Sequence, residues 1–287
     1  MKHFFIVANE QKDVNLNITL QMQKYIIDKG GTCQYGLNRR MNLEGYQNLR
    51  AEEIPEDTEC VLCVGGDGTL IRVAGSLVET GLPLLGVNLG HIGYLCELDS
   101  NTVFSAIDQL MQDNYTIEER MMLDGFCIKN GRTYESRLAL NDIVIHRTGV
   151  MQVVNLMISV NGEYLNTYRA DGVIIATPTG STAYSMSAGG PIVDPKAELM
   201  LITPISPHGL NSKSIVLDAE DEIVVEIGSR RMERDEETEV SFDGDESLKL
   251  SVGDKIIIRK AKARIKILKL SRRSFLEILR KKMQEYT

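Results

Sequence analysis

A single acid stands inside a glycine turn at the end of an apolar run: Cys60-Val-Leu-Cys63-Val-Gly65-Gly66-Asp67-Gly68-Thr69. Backbone N–H groups left unpaired in such a turn, together with the positive end of a following helix, converge on an anion. Gly65, Gly66 and Gly68 let the main chain approach phosphate without Cβ contacts. An acid beside phosphate repels it, unless it holds a metal ion or takes a proton from an attacking hydroxyl. The turn therefore points to phosphoryl transfer, although Gly-Gly-Asp-Gly also occurs in ordinary structural turns.

A second chemistry-bearing stretch lies at 171–190, where an apolar run leads into Thr177-Pro-Thr-Gly-Ser-Thr-Ala-Tyr184. Hydroxyls and free N–H groups bind phosphate or ribose, and a phenol ring lies well against a purine. The alternative is a Ser/Thr-rich helix start with Tyr184 in the core. Asn141-Asp142 offers an amide and a carboxylate suited to a vicinal diol or a purine edge, or is simply a turn. His91 and His208 fall in loops near these stretches.

Elements of recognisable period must position these groups. A strand at 4–8 precedes a helix marked by Val14, Ile18, Met22 and Tyr25 and stopped by Gly30-Gly31. Residues 32–59 are polar and weakly periodic, consistent with a mobile loop or short helix. Leu70, Val73, Ala74, Leu77 and Val78 share one helical face directly after the glycine turn. A strand at 84–87 runs into Asn88-Leu-Gly90-His-Ile-Gly93-Tyr94, and Val103, Ala106, Ile107, Leu110 and Met111 mark a further helix. This alternation is that of a parallel-sheet α/β domain, whose ligands bind beyond the carboxyl ends of the strands. The texture changes near residue 121. Strand-like runs follow at 126–129, 137–145, 153–160, 172–176, 223–227, 255–258 and 264–268. Asn130-Gly131 and Asn161-Gly162 are hairpin signals, with Asp243-Gly244 a candidate third. The charge-dense stretch 228–239 reads as a solvated hairpin end. Ser274 and Glu277 have capping-box spacing, and Phe275, Ile278, Leu279 and Met283 give the last helix an apolar face. The expected division is 1–120 plus 272–287 as the α/β domain and 121–271 as the β-rich one.

Composition narrows the function classes. With 287 residues and 43% hydrophobic content, the chain is long enough for two cored domains. A formal charge of −8 argues against a general nucleic-acid binder, which needs excess Lys and Arg. Residues 1–7 show no secretory pattern, and no apolar stretch approaches the roughly 20 residues that span a bilayer. Five cysteines fit reduced thiols, so the cytoplasm is the expected compartment. Cys60 and Cys63 lie within the apolar run without a second pair, which favours buried thiols over a metal or redox site.

Taken together these stretches resemble the NAD kinases, which phosphorylate the 2′-hydroxyl of the adenosine ribose of NAD to give NADP. Gly65-Gly66-Asp67-Gly68-Thr69 matches that family's Gly-Gly-Asp-Gly-Thr motif, and residues 88–95 resemble its Asn-x-Gly-x-Leu-Gly-Phe-Leu segment with Ile92 and Tyr94 substituted. Asn141-Asp142 stands where Asn-Glu is common, and Asp171-Gly172 followed by 177–184 matches the family's most distinctive signature. Phe242-Asp243-Gly244-Asp245 resembles an Asp-Gly-Gln segment, with Asp245 replacing Gln. The first motif alone is shared with lipid kinases and phosphofructokinases, so a lipid or sugar kinase is one alternative and a non-catalytic NAD(P)-binding protein another.

The resemblance implies an α/β N-terminal domain, an all-β C-terminal β-sandwich, and a C-terminal helix returning to the first domain. It places the site in a cleft between domains, usually completed by a neighbouring subunit of a homodimer or homotetramer. Asp67 would be catalytic, and Gly65, Gly66, Gly68 and Thr69 would hold the donor, ATP or polyphosphate, with a divalent cation, Mg²⁺ first. Adenine would lie on Tyr184 near Asn141, Thr182, Ala183 and Ser187. Asp142 would hold ribose hydroxyls. Asp171, from the same or an adjacent subunit, would line the nicotinamide part with Ser206, Ile92 and Tyr94. Because a carboxylate is a poor base for an alcohol, Asp67 would orient the hydroxyl and accept its proton late. The residues that would ligate the cation are not named by the resemblance, and neither nucleic acid nor a membrane is expected as a partner.

Overall fold

The computed structural model describes residues 1–40, 46–47, 49–90, 93–134, 136–149, 153–209, 213–229, 238–245, 247–270 and 274–285. His91, Ile92 and most of the charge-dense stretch 228–239 lie outside the described residues. The chain divides into two units, Met1–Arg120 with Arg264–Thr287, and Met121–Ala263.

In the first unit, strands β1 (His3–Asn9), β2 (Thr32–Arg40), β3 (Tyr46–Gln47), β4 (Cys60–Gly65), β5 (Leu84–Asn88) and β6 (Leu98–Asp99) are interleaved with helices α1 (Asn17–Asp28), α2 (Asp67–Leu77) and α3 (Val103–Met111). The sheet runs β3-β2-β1-β4-β5, with β6 beside the end of β5, and only β2 and β3 pair antiparallel. Every residue of β4 and β5 is buried, as expected of strands covered on both faces. Phe4, Ile6, Leu62, Val64, Leu85 and Val87 pack with Met22 and Ile26 of α1 and with the inner face of α3. Leu70, Val73, Ala74 and Leu77 seat α2 on β4 and β5. Each of the three larger side chains contributes about 1.5–3 kcal/mol by burial, which anchors the glycine turn at the start of that helix.

Val14 reads as the first mark of the first helix, yet it lies ahead of that helix and is 66% exposed. Asn15 and Leu16 adopt left-handed φ of 57° and 54°, so α1 begins only at Asn17, with the Asp13 carboxylate accepting the N–H groups of Ile18 and Thr19. Residues 32–59 read as a loop or short helix, but Thr32–Arg40 is a strand in parallel register with β1, from His3↔Thr32 to Asn9↔Asn38. Its polar side chains hide it, because the ladder of backbone hydrogen bonds rather than apolar alternation holds it.

The second unit is built from β7 (Thr116–Lys129), β8 (Arg132–Thr133), β9 (Arg137–Ala139), β10 (Asp142–Arg147), β11 (Val154–Val160), β12 (Glu163–Ala170) and β13 (Gly172–Ala176). After the short helix α4 (Tyr184–Ser187) come β14 (Leu199–Ile205), β15 (Ile215–Asp218), β16 (Ile223–Gly228), β17 (Thr238–Phe242), β18 (Ser247–Leu250) and β19 (Lys255–Lys269). One antiparallel sheet runs β15-β14-β13-β10-β17-β18; the other joins β12, β11, β16 and the first part of β19. Leu156, Ile158, Val225 and Ile227 from one sheet meet Ile143, Ile145, Val173 and Ile175 from the other in a shared core, which makes this unit a β-sandwich. Val144, Ile174, Ala176 and Leu201 cover the far face of the first sheet with Ala188 and Val193, so β13 shows no polar alternation. Asn130-Gly131 and Asn161-Gly162 have the paired positive φ values of two-residue hairpin turns, and Asp243-Gly244 shares them in a longer loop.

The runs expected at 255–258 and 264–268 are one 15-residue strand, β19, and the run expected at 137–145 breaks at 140–141 into β9 and β10. Beyond β19 the chain forms α5 (Phe275–Glu285), which belongs to the first unit. Its capping box is made: Ser274 N–H donates to Glu277 Oε2 at 3.0 Å, and Glu277 N–H donates to Ser274 Oγ at 3.2 Å. Lys282 of α5 lies 5.8 Å from the centroid of the Tyr94 ring. Among the described residues no helix is long and apolar enough to cross a membrane.

Candidate active site

In the first unit β1, β4 and β5 end side by side at Asn9, Gly65 and Asn88, the last two in register. From β4 the chain passes through Gly66 directly into α2, an 11-residue helix whose first N–H groups have no carbonyl one turn back, save that of Thr69, which donates to the Gly66 carbonyl at 2.9 Å. Crowding demands glycine at 65, where a Cβ would lie 2.5 Å from Thr69 Oγ1 and 2.9 Å from Asn9 Cβ; at Gly66 a Cβ would meet only the movable end of Lys12, 2.9 Å away, and the φ of 156° is what favours glycine there. The Thr69 hydroxyl is turned inward and accepts a hydrogen bond from Asn9 Nδ2 at 3.2 Å.

Asp67 opens α2 and grips the segment that follows Gly93. Its Oδ2 accepts the N–H groups of Tyr94 at 2.7 Å and Leu95 at 3.3 Å, and its Oδ1 accepts that of Cys96 at 2.9 Å. Position 93 must be glycine, since a Cβ there would overlap the carboxylate. A carboxylate has about four acceptor positions. Three are filled by N–H groups, which leaves about one, on Oδ1, for a substrate hydroxyl or the weakly donating Cys96 thiol. Burial, and then the charge of Asp67, push that thiol well above its ordinary range.

The second unit repeats the device. The Asp243 carboxylate accepts three successive N–H groups, from Leu140 and Asn141 at 2.7 Å and from Asp142 at 3.1 Å. From the other side Thr177 Oγ1 donates to the Leu140 carbonyl at 2.6 Å, and Thr177 N–H donates to that of Asn141 at 2.9 Å. Gly180 sits so close to the Asn141 carbonyl that a Cβ would collide with it. Residues 140–142 and 177–180 are thereby locked together. Asp142 is 5% exposed; burial, and secondly the charge of Asp243, push its carboxyl up to about 7. Burial also raises Asp243, to about 6, against the lowering effect of its three N–H donors.

The hydroxyl run divides by role. Thr177, Ser181 and Ser185 are interior: Ser181 Oγ donates to the Pro178 carbonyl and accepts the Val193 N–H, and Ser185 pairs with Thr203. Thr182 and Ala183 are half-buried, while Ser187 and Tyr184 are exposed, the latter by 47%. Asn141, Asp142, Thr182, Ala183 and Tyr184 thus gather at one end of β13. Asp171 and Ser206 lie at the other end, where Asp171 Oδ1 accepts a 2.7 Å bond from Arg147 Nε and Asp171 N–H donates to the Ile205 carbonyl. The six residue steps from 171 to 177 span about 20 Å of strand. Within one copy these two groups are not brought together. Ile92 lies outside the described residues, and Tyr94 lies in the first unit beside Asp67.

Sequence reasoning did not single out Lys12, Asn88, or Asp243 as a clamp. Asp243 reads locally as a turn residue, and nothing near it shows that its carboxylate reaches back 103 positions to Leu140. Lys12 carried no signal at all, being one cation in a polar loop. Among the described residues no group of three or more His, Cys, Asp or Glu is placed to hold a metal ion. With Asp67 already bonded to backbone, this donor set suits a hard cation that arrives on phosphate oxygens rather than one in a protein cage.

Family models agree with both halves. The ATP-NAD kinase N-terminal domain matches residues 4–115, and the ATP-NAD kinase C-terminal domain matches residues 140–270. A protein of Agathobacter rectalis named NAD kinase is 54% identical over 287 residues, the full length of both chains. One of Lachnoclostridium phytofermentans, also named NAD kinase, is 43% identical over 98% of this chain and 99% of its own. Among solved structures, an NAD kinase from Archaeoglobus fulgidus in complex with ATP aligns with a TM-score of 0.75 at 25% identity, covering 97% and 98% of the two chains. Yeast NADH kinase complexed with NADH aligns with a TM-score of 0.84, covering 99% of this chain and 88% of that one; at 22% identity it speaks for the fold alone.

Proposed function

The chain belongs to the NAD kinase family, and we propose that its glycine turn holds the phosphoryl donor while residues 140–142 and 177–184 hold NAD. It is a phosphotransferase acting on an alcohol group: the 2′-hydroxyl of the adenosine ribose accepts the phosphoryl group, and NADP is the product. Tyr184 offers an open ring face to adenine, with Asn141, Thr182, Ala183 and Ser187 around it. Asp142 bonds ribose hydroxyls. Tyr94 with Ile92, and Asp171 with Ser206, take the nicotinamide half. The span of β13 between Asp171 and Asp142 favours delivery of Asp171 by a second copy, hence a homodimer or homotetramer.

In this reaction the 2′-oxygen forms its bond to the terminal phosphorus of ATP or polyphosphate as the bond to the bridging oxygen breaks. Asp67 fixes the hydroxyl through its remaining acceptor position and takes the proton late, when the new bond has made the oxygen acidic. The free N–H groups after Gly65 bind the donor's oxygens. A divalent cation, Mg²⁺ in this reading, would sit on the donor phosphates and offset their charge. Five buried, unpaired thiols support the cytoplasm as the working compartment.

The observation that carries this reading is the Asp67 carboxylate, locked by three N–H groups with acceptor capacity to spare at the edge of an anion-binding turn. Replacing Asp67 by Asn tests it. NADP formation with ATP and Mg²⁺ should fall by about 100-fold or more, with NAD binding and the far-UV spectrum retained. Turnover near that of the parent would end the assignment.

A further inference from the structure

Gly86, in the middle of β5, is a glycine whose backbone does not ask for one: its φ lies outside the left-handed region. Space asks for it instead. A Cβ at 86 would overlap Cys96 Sγ and would lie 2.9 Å from Cys96 Cα and 3.0 Å from Cys96 Cβ. The chain at Cys96 therefore rests on the strand in a hollow that only a missing side chain provides. Gly86 pairs in register with the wholly buried Cys63 of β4, and Cys96 is itself 3% exposed, so the contact lies in the interior.

Asp67 grips this same stretch of chain. Gly93 lies against its carboxylate, the N–H groups of Tyr94, Leu95 and Cys96 donate to it, and Leu98 then pairs with Val87, next to Gly86. Residues 93–98 are thus tied at one end to Asp67 and laid at the other on β5. Carbon atoms in contact ordinarily stand about 3.5–4.0 Å apart. Against 2.9 Å at Cys96 Cα, an alanine at 86 would lift the chain by about 0.6–1.1 Å. That is enough to carry the bond from Cys96 N–H to Asp67 Oδ1 from 2.9 Å to about 3.5–4.0 Å, at or beyond hydrogen-bond reach.

We propose that Gly86 and Cys96 are positioning residues for the phosphoryl transfer: the hollow at 86 sets the height of residues 94–96 above the sheet, and their N–H groups in turn aim Asp67 at the acceptor hydroxyl. The inference rests on the reading of Asp67 as the group that fixes that hydroxyl. It adds what holds the carboxylate in place before substrate arrives, and it gives β5, which touches no substrate at 86, a part in turnover.

The test compares Gly86→Ala, Gly86→Ala with Cys96→Ala, Asp67→Asn, and Gly86→Ala with Asp67→Asn, by NADP formation with ATP and Mg²⁺ well below the lowest thermal midpoint. Gly86→Ala should lower kcat by about 100-fold, the cost of about an ångström of misplacement, and leave the KM for ATP within about twofold. Adding Cys96→Ala removes the overlap with sulfur and should return kcat by about fivefold or more. In the Asp67→Asn background Gly86→Ala should cost under about threefold, because the group it displaces no longer acts. If Gly86→Ala turns over like the parent, or loses activity that Cys96→Ala does not return, the proposal is overturned and Asp67 keeps its role. A full loss in the Asp67→Asn background as well would show that the glycine serves the fold alone, which overturns it too. Failure of Gly86→Ala to fold, with or without Cys96→Ala, has the same meaning. Turnover of Asp67→Asn near that of the parent would instead end the reading on which the inference rests.

Discussion

Asp142 holds a carboxyl where water scarcely reaches, and its replacement by Asn has a consequence that can be worked out in advance. The side chain is 5% exposed, and burial carries its carboxyl from an ordinary 3.8 up to about 7. A carboxyl raised on folding favours the protonated form in the folded chain. Its full contribution to stability is present below about 3.8 and is lost as pH climbs through about 7. Moving the group that far costs the ionised form about 4 kcal/mol, which is the stability withheld from the wild type at pH 8. The amide of Asn has the same shape and no proton to lose. Asp142→Asn should therefore gain about 4 kcal/mol at pH 8, or roughly 10 °C in the midpoint of a domain this size. At pH 4 the gain should shrink to under about 1 kcal/mol, because the folded carboxyl is then protonated and the unfolded one, with its ordinary 3.8, is only about half ionised. Thermal unfolding of both proteins at pH 4, 6 and 8, followed by circular dichroism, reads the difference directly. A gain that does not change with pH, or no gain at pH 8, refutes the reasoning. The same variant should bind NAD more weakly, so stability and affinity move in opposite directions.

Three further outcomes follow from the same geometry. Gly180→Ala drives a Cβ into the Asn141 carbonyl and should lower stability by about 1–3 kcal/mol, measured by urea unfolding, with the KM for NAD rising because residues 140–142 shift. Tyr184→Ala removes an exposed ring from the adenine position and should raise the KM for NAD about fivefold or more while the KM for ATP holds; an equal rise in both would place the ring elsewhere. Burial pushes Cys33 up to about 12 and Cys127 up to about 11, and raises Cys60, Cys63 and Cys96 as well. A thiol reagent at pH 8 should therefore label the folded protein slowly and all five thiols at once after denaturation; rapid labelling of native protein would contradict that burial.

By itself the sequence determined what local rules encode. The α2 face of Leu70, Val73, Ala74 and Leu77, the capping box at Ser274 and Glu277, and the Asn-Gly hairpins depend on spacing and on backbone preferences of single residues, and each is present, although α2 ends at Leu77 and Val78, read as the last residue of that face, opens a 3-10 turn. Family membership was legible for a similar reason, because the glycine turn and the 177–184 run are contiguous strings. Partnerships between distant segments had to wait for the tertiary structure. No periodicity shows that Thr32–Arg40 is a strand, since its ladder with β1 is made by backbone rather than by side chains. Nor does it show which hydroxyls of the 177–187 run face inward: Thr177, Ser181 and Ser185 are fixed by Leu140, Val193 and Thr203, all remote in the chain. The two aspartate clamps make the same point. Asp67 and Asp243 each bind three consecutive N–H groups of a segment 27 to 103 residues away, and only the closed sheets bring such partners within hydrogen-bond reach.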